Sequence, residues 1–165
     1  MDVRAAHTLA NQVRDNYFLV KRDFLRIQWL LGWALVALGR LHKGNKDEYL
    51  TEAKGHLTES LTGCYRTNLV ELEPDVLLAW ARWHCMKGYP QRARESAKQA
   101  LAIADRCGYR LKQAEVHNFL ARLALDEGNK TVAKEQAEIA KKYALCDGPE
   151  YCYRPALEEA CQLLD

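Results

Sequence analysis

The sequence predicts an all-α fold of about seven helices, in which antiparallel helix pairs stack side by side. A shift of forty residues superposes identical residues along the second half of the chain, which marks a helical repeat array. No segment shows the strict apolar–polar alternation of a half-buried strand. Glycine and proline fall between the helical patterns, except Gly32, Gly55 and Gly63. The coinciding pairs are Val76/Val116, Ala81/Ala121, Arg82/Arg122, Gly88/Gly128, Ala93/Ala133, Glu95/Glu135, Ala97/Ala137, Ala100/Ala140, Ala104/Ala144 and Gly108/Gly148.

Size and composition predict a single cytoplasmic domain. The chain has 165 residues, of which 48% are hydrophobic and 28% charged, a balance typical of globular domains. A net charge of +2 gives no strong electrostatic footprint for nucleic acid or membrane, and we expect neither as a partner. The longest apolar run, at 29–38, is interrupted by Gly32 and is interpreted as a buried helix. The start of the chain lacks a basic region followed by an apolar one, so no signal peptide is expected.

The cysteines predict reduced thiols and no metal site. There are six, mostly at positions that resemble helix faces, and an intracellular chain keeps them reduced. Cys146 and Cys152 bracket a Gly-Pro turn and could approach each other. No CxxC or HxxxH spacing supplies the four ligands of a zinc site. We therefore expect neither a metal nor another cofactor.

The first 65 residues are predicted to hold three helices. A partial N-terminal element, 1–22, contains a helix at 2–16 whose apolar residues share one face, and a degenerate repeat follows at 23–65. In that repeat Gly39 is expected to end the first helix, and Asp47 to cap the second. The predicted inward residues are Val3, Ala6, Ala10, Val13 and Tyr17 at 2–16, Phe24, Ile27, Leu30, Leu31, Ala34, Leu35 and Leu38 at 23–39, and Tyr49, Leu50, Ala53, Leu57, Ser60, Leu61 and Cys64 at 47–64.

Two cleaner repeats follow, at 74–108 and 114–148, and a capping helix is predicted within 153–165. Pro74 fits a first helical position, where its missing N–H costs nothing. Alanines on the second helix of each repeat would let two helices approach closely. The predicted helices are 74–87, 91–106, 111–127, 131–145 and 153–164, the last with Leu157, Ala160, Cys161 and Leu164 inward.

These units resemble the tetratricopeptide repeat (TPR). The matching small and apolar positions are Trp80, Ala81, Gly88, Ala93, Ala97 and Ala100, then Leu120, Ala121, Gly128, Ala133, Ala137 and Ala140, and, in a degenerate copy, Leu31, Gly32, Gly39, Ala53, Leu57 and Ser60. The resemblance covers about 23–145. It implies a right-handed superhelix, an α-solenoid, whose concave face binds a protein or peptide. The period of forty exceeds the usual 34, Gly108 and Gly148 stand where a proline is expected, and Ala97 and Ala137 replace an aromatic residue.

The long, alanine-rich units also resemble the helical tails of bacterial NACHT-type signalling ATPases. The runs 117–124 and 146–153 carry this likeness, and the chain has no G-x-x-x-x-G-K-[ST] phosphate loop. The resemblance implies a sensor or scaffold without the ATPase. The alternative hypothesis is a regulatory tail that packs on an ATPase domain or self-associates.

The sequence contains no convincing catalytic group. His84 and His117 lie on first helices of repeats, where interhelical packing or hydrogen bonding is the expected role. No Ser or Cys stands in a nucleophile motif, and adjacent carboxylates such as Glu158 and Glu159 do not face each other on a helix. We therefore predict a non-enzymatic, protein-binding signalling module.

In the resembled family, the second, fifth and ninth positions of each unit face the binding groove. Here they are Arg26, Trp29 and Trp33, then Asp75, Leu78 and Arg82, then Glu115, Asn118 and Arg122. From these we predict a peptide-binding site at Arg26, Trp29, Trp33, Arg82, Asn118 and Arg122. Guanidinium groups would hold carboxylates of an extended peptide. Two alternatives remain: that the tryptophan pair is core, and that the arginines bond acidic residues within the array.

Overall fold

The computed structural model describes Thr8 and residues 21–164, and the regular secondary structure of these residues is all helical. Residues 21–164 form seven α-helices and two short 3-10 helices, and the described residues form no strand. The α-helices are α1 (Lys21–Leu41), α2 (Lys46–Thr67), α3 (Glu73–Met86), α4 (Pro90–Cys107), α5 (Arg110–Asp126), α6 (Lys130–Ala144) and α7 (Arg154–Leu164), with 3-10 turns at Lys43–Asn45 and Pro149–Tyr151. The all-α prediction is confirmed. The helix predicted at 2–16 lies outside the described residues except for Thr8, which is helical.

The chain divides into two compact units, Met1–Ala93 and Arg94–Asp165, called unit 1 and unit 2 below. The division falls inside the continuous helix α4. Unit 1 holds α1, α2 and α3, and unit 2 holds most of α4 with α5, α6 and α7.

The core of unit 1 is built from large aliphatic side chains. Leu35, Leu50 and Leu57 are completely or almost completely buried in one cluster with Trp83 of α3. The Trp83 indole Nε1–H donates to the Leu50 carbonyl oxygen at 2.7 Å, so α3 is bonded to α2 as well as packed on it. This polar end explains how an indole can be buried without leaving its N–H unpaired.

Two glycines inside helices permit close approach of α1 and α2. A Cβ atom built on Gly32 would lie 2.7 Å from both Cδ2 and Cγ of Leu57, and one on Gly63 would lie 2.1 Å from Leu25 Cδ2. Gly55, by contrast, faces open space. Gly32 and Gly63 therefore stand inside helices, in spite of their poor helix propensity, because larger side chains would collide with the neighbouring helix.

The core of unit 2 combines an alanine face on α6 with larger buried side chains of α5, among them Val116, Leu120 and Leu123. Ala133, Ala137, Ala140 and Ala144 of α6 are all buried, as the sequence pattern predicts. Asn129 caps α6, since its side-chain oxygen accepts a hydrogen bond from the Val132 N–H at 3.1 Å. A further cluster joins Ala114 and Ala144 to Ala156 of α7, with three partly buried residues around it: Tyr143, Tyr153 and Leu157.

The turns that end α3 and α5 have the same local geometry, forty residues apart. Gly88 has φ +79° and Gly128 has φ +78°, the left-handed region that glycine enters without steric cost. The following N–H groups close each turn: Tyr89 donates to the His84 carbonyl at 2.9 Å, and Asn129 to the Ala124 carbonyl at 2.8 Å. The repeat seen in the sequence is therefore a repeat of local structure as well.

Three details of the predicted elements are wrong. Gly39 does not end α1, which continues to Leu41, because Gly39 is buried against α2 within ordinary contact of Leu50. Asp47 does not cap α2. It lies in the first turn, and its carboxylate accepts a hydrogen bond from Lys87 Nζ at 2.6 Å. In α7 the fully buried residues are Ala156 and Ala160, and Ala156 was not among the predicted inward positions. The other helix ends fall within three residues of those predicted.

Helix α1 is the one helix of the described part that is long and apolar enough to cross a membrane by length and composition. Within Arg22–Leu41, an 18-residue window reaches a mean hydropathy of 1.3. In unit 1 this helix is a packed core element, with Leu31 and Leu35 buried. Core helices of soluble proteins pass the same test, so the expectation of no membrane partner stays a prediction.

Candidate functional site

Three of the six predicted site residues lie along one stripe of α1, in unit 1. Arg26 is exposed, Trp33 is 41% exposed, and Trp29 between them is half-buried. Trp29 packs against both hydrophobic clusters of unit 1. The two tryptophans therefore differ: Trp29 is largely part of the core, and Trp33 presents an apolar face to solvent.

Arg82, the fourth predicted residue, lies on α3 and is half-buried. It is not free, because its side chain already interacts with neighbouring groups. Leu78, one turn earlier, is almost completely buried.

The other two predicted residues, Asn118 and Arg122, lie on α5 in unit 2, and both are bonded to α7. Asn118 is completely buried, and its Nδ2 donates to the Ala156 carbonyl at 2.8 Å. The Arg122 guanidinium pairs with Glu159 Oε1 at 2.7 Å. Arg122 therefore follows the alternative prediction, in which the arginines bond acidic residues within the array.

Glu115, the second position of the same repeat, is bonded in the same way. Its Oε1 accepts a hydrogen bond from the Tyr153 hydroxyl at 2.7 Å, and its Oε2 accepts one from Lys112 Nζ at 3.1 Å. The residue numbers of the bonded positions increase together along the two segments, so α7 runs parallel to α5. The matched contacts are Glu115 to Tyr153, Asn118 to Ala156 and Arg122 to Glu159.

The two histidines considered in the sequence analysis, His84 and His117, pack against other side chains. His117 is 8% exposed, bonds Gln136 of α6 through Nδ1 at 2.8 Å, and stacks on the Tyr143 ring with 5.8 Å between centroids. His84 lies against the rings of Trp80 and Trp83, with centroids 5.6 and 5.2 Å away. His117 therefore connects α5 to α6, as the packing interpretation expects. The ring contacts of His84 are with residues of its own helix, α3.

The described residues contain no group of three His, Cys, Asp or Glu side chains placed to hold a metal ion. All six cysteines are free thiols, including Cys146 and Cys152. Burial, with a smaller contribution from the Glu73 carboxylate, raises the pKa of the Cys64 thiol to about 11. Cys64 therefore stays protonated at neutral pH, which makes it a poor nucleophile.

The sequence did not predict a cavity of about 750 Å³ in unit 1, beside the start of α1. Phe24 and Leu25 line it from α1, and Thr51, Thr58 and Thr62 line it from α2. The spacing of the threonines along one face of α2 is the only signal in the sequence that could have pointed to it.

Comparison of the chain with known proteins found no matching family model, no similar curated protein and no similar solved structure.

Proposed function

We propose that this chain is a non-catalytic helical-repeat module of the TPR type, which binds a protein or peptide as a signalling scaffold or sensor. The observation that carries the proposal is the repetition of local structure at a forty-residue interval. The turns after α3 and α5 match in dihedral angle and hydrogen bonding, and the helices that follow both carry a buried alanine face. Repeated units of this kind stack into the extended, right-handed array that the TPR resemblance implies.

The stripe on α1 is the binding surface that we propose for unit 1. Arg26 and Trp33 are seven residues apart, two helical turns on one face, and both are exposed. A guanidinium binds a carboxylate through two parallel hydrogen bonds, and an exposed indole adds apolar contact, a combination frequent at binding hot spots. We therefore propose a partner that presents an acidic residue close to an apolar one.

Arg82, Asn118 and Arg122 have a different part in this proposal. Each is engaged with groups of the chain itself, and Asn118 is completely buried. They contribute to a partner site only after those contacts are exchanged for others.

The test uses synthetic decapeptides in which Asp or Glu stands two to four residues from Leu, Ile or Phe, with binding measured by fluorescence anisotropy. We expect the double variant Arg26→Ala, Trp33→Ala to bind the best peptide at least about 10-fold more weakly, a loss of roughly 1.4 kcal/mol.

The matched control is Arg106→Ala with Tyr151→Ala, which removes an arginine and an aromatic ring that are both exposed elsewhere. This control should bind like the parent chain. If both double variants lose the same affinity, or if no peptide binds above background, the proposed surface is wrong.

A further inference from the structure

Besides its apolar packing against α5 and α6, α7 and the residue before it make polar contacts with α5 at three-residue intervals. Tyr153, Ala156 and Glu159 offer a hydroxyl, a backbone carbonyl and a carboxylate to α5. Each is a group that many amphipathic helices can supply at the same spacing. The α5 side of the contact is therefore a surface that recognises a helix by a simple pattern.

The apolar attachment of α7 is small. Among the described helices α7 has the fewest fully buried residues, Ala156 and Ala160, and both have small side chains. Leu157 is only partly buried where it packs against the neighbouring cluster. A helix that buries few apolar contacts belongs to the low-stability end of a structure and opens before the core does.

The segment that leads into α7 is short and is held by few contacts that any opening of α7 would have to break. Between the end of α6 and Tyr153 the chain makes two unusual turns, at Cys146 with φ +49° and at Gly148 with φ +134°. The Tyr153 N–H is tied back to the Ala144 carbonyl at 2.7 Å. Asp147 adds one exposed contact, an ion pair with Arg110 at 3.1 Å.

The side-chain amide of Asn118 forms only part of its possible hydrogen bonds beneath α7. The Asn118 amide nitrogen is bonded to α7, but its Oδ1 is buried with no hydrogen-bond partner among the described residues. A buried acceptor without a donor costs stability. A helix that placed a donor against this oxygen would bind the face better than α7 does.

We propose that α7 is a replaceable occupant of the α5 face, and that an amphipathic helix of a partner protein takes its place. This rests on the proposed function only in that the chain is a binding module. The partner helix brings a carboxylate to Arg122, a hydroxyl to Glu115, and a small residue with a hydrogen-bond donor to Asn118. While α7 is docked, the face is closed to the partner.

The test uses the full chain and a fluorescein-labelled peptide with the sequence of residues 152–165 as the competing helix. In a Glu159→Lys chain the resident helix loses its pair and places a lysine beside Arg122. We expect this chain to bind the labelled peptide at least about 10-fold more tightly than the parent chain does, measured by anisotropy.

The control is Glu158→Lys, the same charge change at the neighbouring position, which is exposed and forms no ion pair among the described residues. It should bind the peptide like the parent. A Glu159→Lys chain that binds no better than the Glu158→Lys chain overturns the proposal.

A second variant tests the face itself and guards against a folding defect. The chain with Arg122→Glu and Glu159→Lys keeps a pair of reversed sign, and it should prefer a peptide carrying Glu159→Lys over the native peptide. Equal binding of the two peptides contradicts recognition at Arg122. Either failure leaves the Arg26 and Trp33 result in unit 1 unaffected, so the two proposals fail separately.

Discussion

Unit 1 and unit 2 each attach a helix to the helices before it, and they use different side chains to do so. In unit 1, α3 is attached to α1 and α2 through Leu35, Leu50 and Leu57 packed against Trp83, with one indole hydrogen bond. In unit 2, α7 is attached to α5 through three polar side-chain contacts and two fully buried alanines. The attachment of α3 uses large apolar side chains, whereas that of α7 combines small apolar side chains with matched polar groups.

This difference indicates that α3 is attached more firmly than α7. Burial of large apolar side chains contributes in proportion to area and does not depend on a particular partner group. The half-exposed pair of Arg122 with Glu159 contributes little net stability, because water competes for both groups. The buried Asn118 amide leaves one acceptor without a partner among the described residues, which also costs stability. These polar groups do make the contact selective, so the α7 contact combines selectivity with weak attachment.

The largest expected effect separates the two units by a core substitution. Leu57→Ala removes a completely buried side chain from unit 1 and should lower the free energy of unfolding by about 2–5 kcal/mol. Arg122→Ala in unit 2 should cost no more than about 1 kcal/mol, since the guanidinium side chain is 42% exposed. All four tryptophans of the sequence lie in unit 1. Tryptophan fluorescence therefore follows urea unfolding of unit 1, and circular dichroism follows the whole chain. Equal losses in the two variants would contradict the comparison.

A smaller effect tests the close approach of α1 and α2 in unit 1. Gly32→Ala would place a methyl group 2.7 Å from Leu57 and 3.3 Å from the Ala53 carbonyl oxygen. Overpacking costs about 1–3 kcal/mol of stability. The better helix propensity of alanine offsets about 1 kcal/mol of this cost. Gly55→Ala meets nothing within 4 Å and should stabilise the chain by roughly 0.5–1 kcal/mol. Thermal unfolding of the two variants measures the contrast. If both variants raise the melting temperature, the predicted close contact at Gly32 is contradicted.

The smallest expected effect concerns the exposed pair that joins the start of α2 to the end of α3. The hydrogen bond and charge of Lys87 hold the pKa of the Asp47 carboxyl below its ordinary value, and Lys46 adds a smaller contribution. A carboxyl with a lowered folded-state pKa stabilises the fold above its unfolded-state pKa, and this contribution is lost as pH falls through the lowered value. Carbon NMR titration should show the Asp47 pKa rising in Lys87→Ala and rising less in Lys46→Ala. A larger rise in Lys46→Ala would contradict the pairing of Asp47 with Lys87.

The helices from α3 to α6 could be predicted from the sequence to within one residue at each end, because their limits are set locally. Gly88 and Gly128 adopt positive φ, a conformation that depends on the residue itself. The alanine faces of α4 and α6 are buried as their spacing predicts. Gly39 failed as a stop signal because it is buried inside α1 against α2, and the local sequence does not show which element covers it.

The state of the candidate site could not be predicted in the same way. The TPR resemblance placed Asn118 and Arg122 in an open groove, and the structure places both under α7. Trp29 and Trp33 share one face by their spacing, and yet only Trp33 is substantially exposed. Exposure depends on which other element covers a face, and that element is distant in sequence.

The sequence by itself determined the helical class, the forty-residue repeat and the positions of most turns, because helix propensity, apolar spacing and the φ angles of glycine act over a few neighbouring residues. The tertiary structure alone decided that Asp47 pairs with Lys87 rather than capping a helix, and that Arg122 is bound to Glu159. Those pairs join groups about forty residues apart, and a charged side chain bonds whichever opposite charge the packing of the helices brings within reach.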